Sequence, residues 1–172
     1  LTRTLAQSAK GVIAIEKDDR LMELLETKFA KEIKSEKLIL AHADILELAW
    51  SEILKLVGTK SEGYKLIANI PYYITGQLFR KFLEEAPIQP RQMVLMLQKE
   101  VAQRIAGRPR HEGGVGEKES ILSLSVKAYG APKYIKTVPA KYFSPAPKVD
   151  SAILAVNRIS RDLFSLVPEK KF

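Results

Sequence analysis

Four short apolar runs, VIAI at 12–15, LILA at 38–41, LIA at 66–68 and MVLML at 93–97, leave no polar position on either face of the strands they would form. A strand points successive side chains to opposite faces, so a strand of this kind must be covered on both sides. The segments between the runs have helical spacing. DDRLMELLETKFAKEI at 18–33 puts Leu21, Leu24, Leu25, Phe29 and Ile33 at helical intervals, with Asp18 or Asp19 near its start. SEILKLVG reads as a short helix or turn, TGQLFRKFLEEA (Thr75 a candidate N-cap) and KEVAQRIAG as helices, and LTRTLAQSAK as the later part of a helix stopped by Gly11. Apolar strands alternating with helices predict an α/β fold, a doubly wound parallel sheet with helices on both faces. After the glycine-rich loop RPRHEGGVGEKES, the segments ILSLSVKAYG, KYIKTVP and DSAILAVNRI follow with no helix expected between them, so the sheet should close with antiparallel strands at one edge.

Composition narrows the chemistry. With 172 residues, 46% of them hydrophobic, the chain can build a proper core. No apolar run approaches the ~20 residues of a membrane helix. The absence of cysteine excludes disulfides and thiolate metal sites, and His42 and His111 are too few imidazoles for a zinc site, so no metal is expected. Of the net charge of +8, residues 127–172 hold 9 Lys+Arg against 3 Asp+Glu, which concentrates the basic excess in the last quarter. That asymmetry fits a polyanion partner such as nucleic acid, or a plain solvated basic face. The chain begins with Leu inside a helix-like pattern and stops at PEKKF without a cap signal, which reads as a fragment.

Ligands of open parallel sheets lie at the carboxyl ends of the strands. Three of the four predicted strands end in Glu16, Asp44 and Asn69. A carboxylate there suits ribose hydroxyls, which fits Glu16, and Asp44 suits an adenine amino group; the bland alternative is that both cap the next helix. Asn69-Ile70-Pro71-Tyr72 is more specific. Methylating the exocyclic amine of adenine requires its lone pair to be withdrawn from the ring, and two acceptors aimed at the N–H bonds would do this. The Asn69 side-chain oxygen and the Ile70 carbonyl are the candidates. Pro71 stiffens the turn, and Tyr72 offers a ring face for an extruded base. Such catalysis is positional and electrostatic and needs no strong base. The alternative is a proline turn whose aromatics pack a helix. In VPAKYFSPAPKVDSA at 138–152, Phe143 stands beside rigid prolines, flanked by Lys141 and Lys148, so a base could stack on the ring while the lysines hold phosphates; otherwise the phenylalanine packs inward. Gly113-Gly114-Val115-Gly116 lacks a phosphate-cradling pattern and reads as a mobile loop; His42 reads as a structural residue at a strand end.

In this order, VIAIEKDDRL, ILAHADIL, LIANIPYYIT, MVLMLQKEVAQRI and TVPAKYFSPAPKVDSAIL resemble the ribosomal RNA adenine dimethyltransferases, across nearly the whole chain. The resemblance implies a Rossmann-like class I methyltransferase sheet whose first strand and glycine-rich loop would precede Leu1. It implies a partial catalytic domain over 1–160 and the start of a helical RNA-binding subdomain over 161–172. It implies S-adenosylmethionine as cofactor, with Glu16 on its ribose, Asp44 on its adenine and Asn69 beside it. Asn69, Ile70, Pro71 and Tyr72 would form the catalytic turn, and Tyr72, Phe143, Lys141 and Lys148 would meet the RNA. The partner would be small-subunit ribosomal RNA, and the enzyme cytoplasmic and monomeric. A non-catalytic ribosome-assembly protein of the same fold, a DNA adenine methyltransferase and a nucleotide-dependent dehydrogenase are the rivals. The Asn-Ile-Pro-Tyr turn argues against the first, the Phe143 stretch against the second, and only Glu16 and the fold speak for the third.

Overall fold

The structure, a computed structural model, describes residues 1–58, 63–107 and 119–165. The chain forms two compact units, Leu1–Ser61 and Glu62–Phe172.

The first unit runs α1 (Thr2–Ser8), β1 (Val12–Glu16), α2 (Asp19–Lys28), α3 (Ala30–Lys34), β2 (Leu38–His42) and α4 (Trp50–Val57). Strands β1 and β2 pair in parallel from Val12↔Leu38 to Glu16↔His42, as two apolar strands joined by a helical crossover must. Asp18 starts α2 as expected: its carboxylate accepts the Arg20 amide at 3.0 Å. The single helix expected over 18–33 is broken at Phe29, whose φ of −116° leaves the helical region, so the segment splits into α2 and α3. The inward stripe is Met22 and Phe29, while Leu21 and Leu24 are exposed, so the buried face is offset from the one the spacing suggested. Helix α1 ends before Gly11; the Lys37 ammonium donates to the carbonyls of Ala9 and Lys10 just beyond it.

The second unit runs β3 (Lys65–Asn69), a 3₁₀ turn (Tyr72–Ile74), α5 (Thr75–Phe79), a π-helical stretch (Arg80–Glu85), β4 (Gln92–Gln98), α6 (Lys99–Ala106), α7 (Ile121–Tyr129), β5 (Ala131–Val138), a 3₁₀ turn (Ala140–Tyr142) and β6 (Ser151–Asn157), then a last 3₁₀ turn over Asp162–Ser165. The sheet order is β3-β4-β6-β5, with β3 parallel to β4 and the other two pairings antiparallel. The antiparallel edge is the one the sequence predicts. Met93, Leu95 and Leu97 of β4 and Ala152, Leu154 and Val156 of β6 are fully buried, and Leu78, Phe79, Phe82, Leu83, Ala102, Ile105 and Val126 cover them from the helices.

Two local expectations are corrected. ILSLSVKAY is a helix, not a strand. Its apolar–polar alternation mimics period two, but Ser120 caps it through the Ser123 amide, and its buried residues Ser123, Val126 and Tyr129 recur every third position. The Ser123 hydroxyl donates to the Ile105 carbonyl of α6. Gly130 follows because a Cβ there would meet Val156 Cγ1 at 2.9 Å. Thr75 is not an N-cap either: it is buried, and its hydroxyl donates to the Tyr72 carbonyl at 2.9 Å. His111 and the Gly113–Gly116 loop lie outside the described residues.

Candidate active site

In the first unit the residues at the carboxyl ends of β1 and β2 lie side by side. Glu16 closes β1, and its carbonyl accepts the Ala43 amide at 2.9 Å. Its Oε1 turns back to accept the amides of Lys17 and Asp18, at 2.8 and 3.0 Å, while Oε2 has no partner among the described residues. Asp44 is not the last residue of its strand as expected; β2 ends two residues earlier at His42, and Asp44 opens the following turn. Its Oδ1 accepts the Leu46 amide at 2.8 Å and its Oδ2 meets the Lys17 ammonium at 2.7 Å. Lys17 therefore ties the two strand ends together. His42 sits at the strand end in a structural setting, with Nε2 3.2 Å from the Lys17 carbonyl and 2.9 Å from Asp19. Just behind, the Arg20 side chain and amide bind the Asp18 carboxyl and hold its pKa down at about 2.

This end of the first unit has hydrogen-bond acceptors that a nucleoside's hydroxyl and amino groups can use. Glu16 Oε2 can take a ribose hydroxyl, and a carboxylate with about four lone-pair sites leaves Asp44 capacity for an amino group beside its present partners.

In the second unit Asn69 closes β3 with an exposed side chain, and its carboxamide makes no hydrogen bond among the described residues. Ile70 is buried, held by its amide's 3.4 Å bond to the Met96 carbonyl of β4, yet its own carbonyl accepts no hydrogen bond among the described residues. Pro71, at φ −57° and ψ 135°, turns the chain into the 3₁₀ turn, where the Ile74 amide donates to the Pro71 carbonyl at 3.2 Å. Two acceptors thus stand unpaired on a fixed turn, which is what aiming at the two hydrogens of an amine requires.

The turn is fastened to the second predicted stretch. The Tyr72 and Ser151 hydroxyls share a 2.7 Å hydrogen bond, and Ser151 is the buried first residue of β6. Its neighbour Asp150 accepts the Ala140 amide at 3.0 Å through Oδ1 and the Lys99 amide at 3.0 Å through its carbonyl. Asp150 thereby holds the 3₁₀ turn that delivers Lys141, Tyr142 and Phe143. Phe143 is half-buried in an extended conformation, and Lys141 and Lys148 are exposed. The sequence reading missed Asp150 and Ser151 as organisers of the site. The available signal was a short polar pair between a proline-rich segment and an apolar strand, a pattern suited to capping.

Neither cavity coincides with these groups. One, of about 210 Å³, lies between the α5–π segment and α7. The other, of about 530 Å³, lies beside Ile33 and Leu38–Leu40. Of the residues singled out, Asn69, Pro71, Lys141 and Lys148 are exposed, Glu16, Asp44, Tyr72 and Phe143 are half-buried, and Ile70 is buried. Among the described residues no cluster of His, Asp and Glu is placed to hold a metal.

A family model described as ribosomal RNA adenine dimethylase matches residues 1–172. Curated relatives named ribosomal RNA small subunit methyltransferase A include one from Dehalococcoides mccartyi, 43% identical over 156 residues, covering 91% of this chain and 48% of that protein. The relative from Shouchella clausii is 34% identical over 173 residues, covering 100% and 55%. The chain spans about half the length of the curated relatives it matches. Among solved structures, a dimethyladenosine transferase from Plasmodium falciparum superposes with a TM-score of 0.73 at 26% identity, over 95% of this chain and 53% of that one. The 23S rRNA methyltransferase ErmE gives 0.72 at 27%, over 94% and 58%. The fold is that of the class I methyltransferases.

Proposed function

The chain belongs to the ribosomal RNA adenine dimethylase family, and on that premise we propose that it transfers methyl groups from S-adenosylmethionine to the exocyclic amines of two adjacent adenosines in small-subunit ribosomal RNA. The observation that carries this reading is the pair of unpaired acceptors, the Asn69 carboxamide and the Ile70 carbonyl, on a turn anchored through Tyr72 to Ser151. S-adenosylmethionine supplies a methyl group on a cationic sulfur that leaves as a neutral thioether. Asn69 and Ile70 accept the two N–H bonds of the adenine amine and so turn its lone pair toward the methyl group. The proton surplus at nitrogen is shed to water after attack, so no strong base is needed. Tyr72 and Phe143 offer their faces to the extruded base, and Lys141 and Lys148 meet the phosphates. In the first unit Glu16 would hold the cofactor's ribose and Asp44 its adenine.

We assign 1–160 to the catalytic domain and 161–172 to the start of an RNA-gripping subdomain, and infer a cytoplasmic enzyme acting as a monomer. Among the described residues no helix is long and apolar enough to cross a membrane. The test is to incubate the protein at full length with S-adenosylmethionine and a small-subunit rRNA hairpin bearing adjacent unpaired adenosines, then to digest the RNA and weigh its nucleosides. Dimethyladenosine is expected. RNA left unmethylated, or methylation of DNA adenine instead, overturns the proposal.

A further inference from the structure

The chain has six tyrosines, and four have structural partners. Tyr64 donates to the Ile88 carbonyl at 3.1 Å, Tyr72 pairs with Ser151, and Tyr134 pairs with Thr137 at 2.6 Å. Tyr129 is buried with its ring 4.9 Å from that of Phe164. Tyr73 and Tyr142 differ: they are 85% and 72% exposed, and neither hydroxyl is hydrogen-bonded among the described residues. Their one ring contact among the described residues is the Lys141 ammonium, 5.5 Å from the Tyr142 centroid.

A lone exposed aromatic carries no meaning. These two stand directly beside the site, Tyr73 after Tyr72 and Tyr142 before Phe143. Each rides on a 3₁₀ turn fixed from below. Ile74 is buried under the first turn, and the second is closed by the Tyr142 amide on the Pro139 carbonyl at 3.1 Å and held by Asp150. The two turns are joined through the Tyr72–Ser151 bond and the Ser151–Asp150 peptide. Flat, amphipathic rings are thus displayed on rigid backbone, Tyr142 with the Lys141 ammonium over it, and exposed aromatic platforms with nearby cations bind single-stranded nucleic acid by stacking. Extruding an adenine also leaves its neighbours without a stacking partner on one face.

We propose that Tyr73 and Tyr142 are stacking platforms for the unpaired bases that flank the target adenosine. The inference rests on the methyl-transfer reading and adds the substrate's single-stranded neighbours as a recognised element. The test uses the full-length protein with Tyr73 and Tyr142 each changed to Ala, Leu and Phe. Affinity for a hairpin with adjacent unpaired adenosines is read by fluorescence anisotropy, and methyl transfer in single turnover. Each Ala variant should bind about ten- to hundredfold more weakly, the range expected for one lost stacked base. Phe should restore affinity and Leu should not. An abasic site at the matching neighbour should weaken the unaltered protein similarly and add nothing to the Ala variant. Because both rings are exposed, the melting temperature should not move. Ala variants that bind normally, Leu variants that rescue, or Ala and abasic losses that add in full would each overturn the inference. If the unaltered protein methylates RNA and the Ala variants are indifferent, only this inference falls. If the unaltered protein methylates no RNA, the functional reading falls with it.

Discussion

Changing Tyr72 to Phe removes one oxygen and leaves the ring, which isolates the bond that ties the Asn-Ile-Pro-Tyr turn to β6. Ser151 is 1% exposed, and the Tyr72 hydroxyl is its side chain's partner among the described residues. Without it the serine hydroxyl is buried and unpaired, at a cost of about 1–3 kcal/mol. The reverse change, Ser151→Ala, should cost less, about 0.5–1.5 kcal/mol, because the half-buried Tyr72 hydroxyl can turn to water. The double variant leaves no orphaned group on the serine side and should fall short of the sum of the singles by at least about 0.5 kcal/mol. For a chain of this size 1 kcal/mol moves the melting temperature by about 2–4 °C, so calorimetry or urea denaturation resolves all four corners of the cycle. Additivity within about 0.3 kcal/mol, or a Ser151→Ala cost above that of Tyr72→Phe, would refute the reasoning.

Other expectations follow from the two units. Glu16→Ala should weaken S-adenosylmethionine binding about ten- to hundredfold by titration calorimetry, the loss of a hydrogen bond to a charged acceptor; an unchanged dissociation constant would leave Glu16 only its bonds to the Lys17 and Asp18 amides. Replacing Lys141 and Lys148 together should flatten the log–log salt dependence of RNA binding by about one to two units. The Asp18 carboxyl is held near 2 in the fold against 3.8 as its ordinary value, so its contribution is present above about pH 3.8 and lost as pH falls toward 2. Asp18→Asn keeps a capping oxygen but should erase that part of the acid-unfolding limb; an identical limb would contradict the assignment.

The strands were legible because their signal is local and strong. VIAI, LILA and MVLML lie within the observed β1, β2 and β4, but full cover on both faces is not met: Ile39 of β2 is exposed, and in β4 Met93, Leu95 and Leu97 are buried while the alternate residues are only half-buried. What failed was competition between periods. ILSLSV satisfies alternation, and only the Ser120 cap and the packing of Ser123 against α6 decide for a helix. The break at Phe29 is likewise set by burial of the ring, with no glycine or proline to announce it. At the site, the Asn69–Tyr72 turn and the Phe143 stretch were visible as separate motifs. Their union was not, because the Tyr72–Ser151 bond joins residues 79 apart. Arg161, which donates to the Glu84 and Ala86 carbonyls that end the π-helical stretch, was equally invisible for the same reason.

The central claim is that the Asn69 carboxamide acts on the target amine. It is tested most directly by Asn69→Ala in the full-length protein, with single-turnover methyl transfer to the RNA hairpin and S-adenosylmethionine affinity measured on the same preparation. Loss of a positioned electrostatic group of this kind costs about 10²–10³ in rate. The account predicts a fall of that size with cofactor affinity kept within a few fold. Near-normal turnover, or a loss traced entirely to weaker cofactor binding, would contradict it.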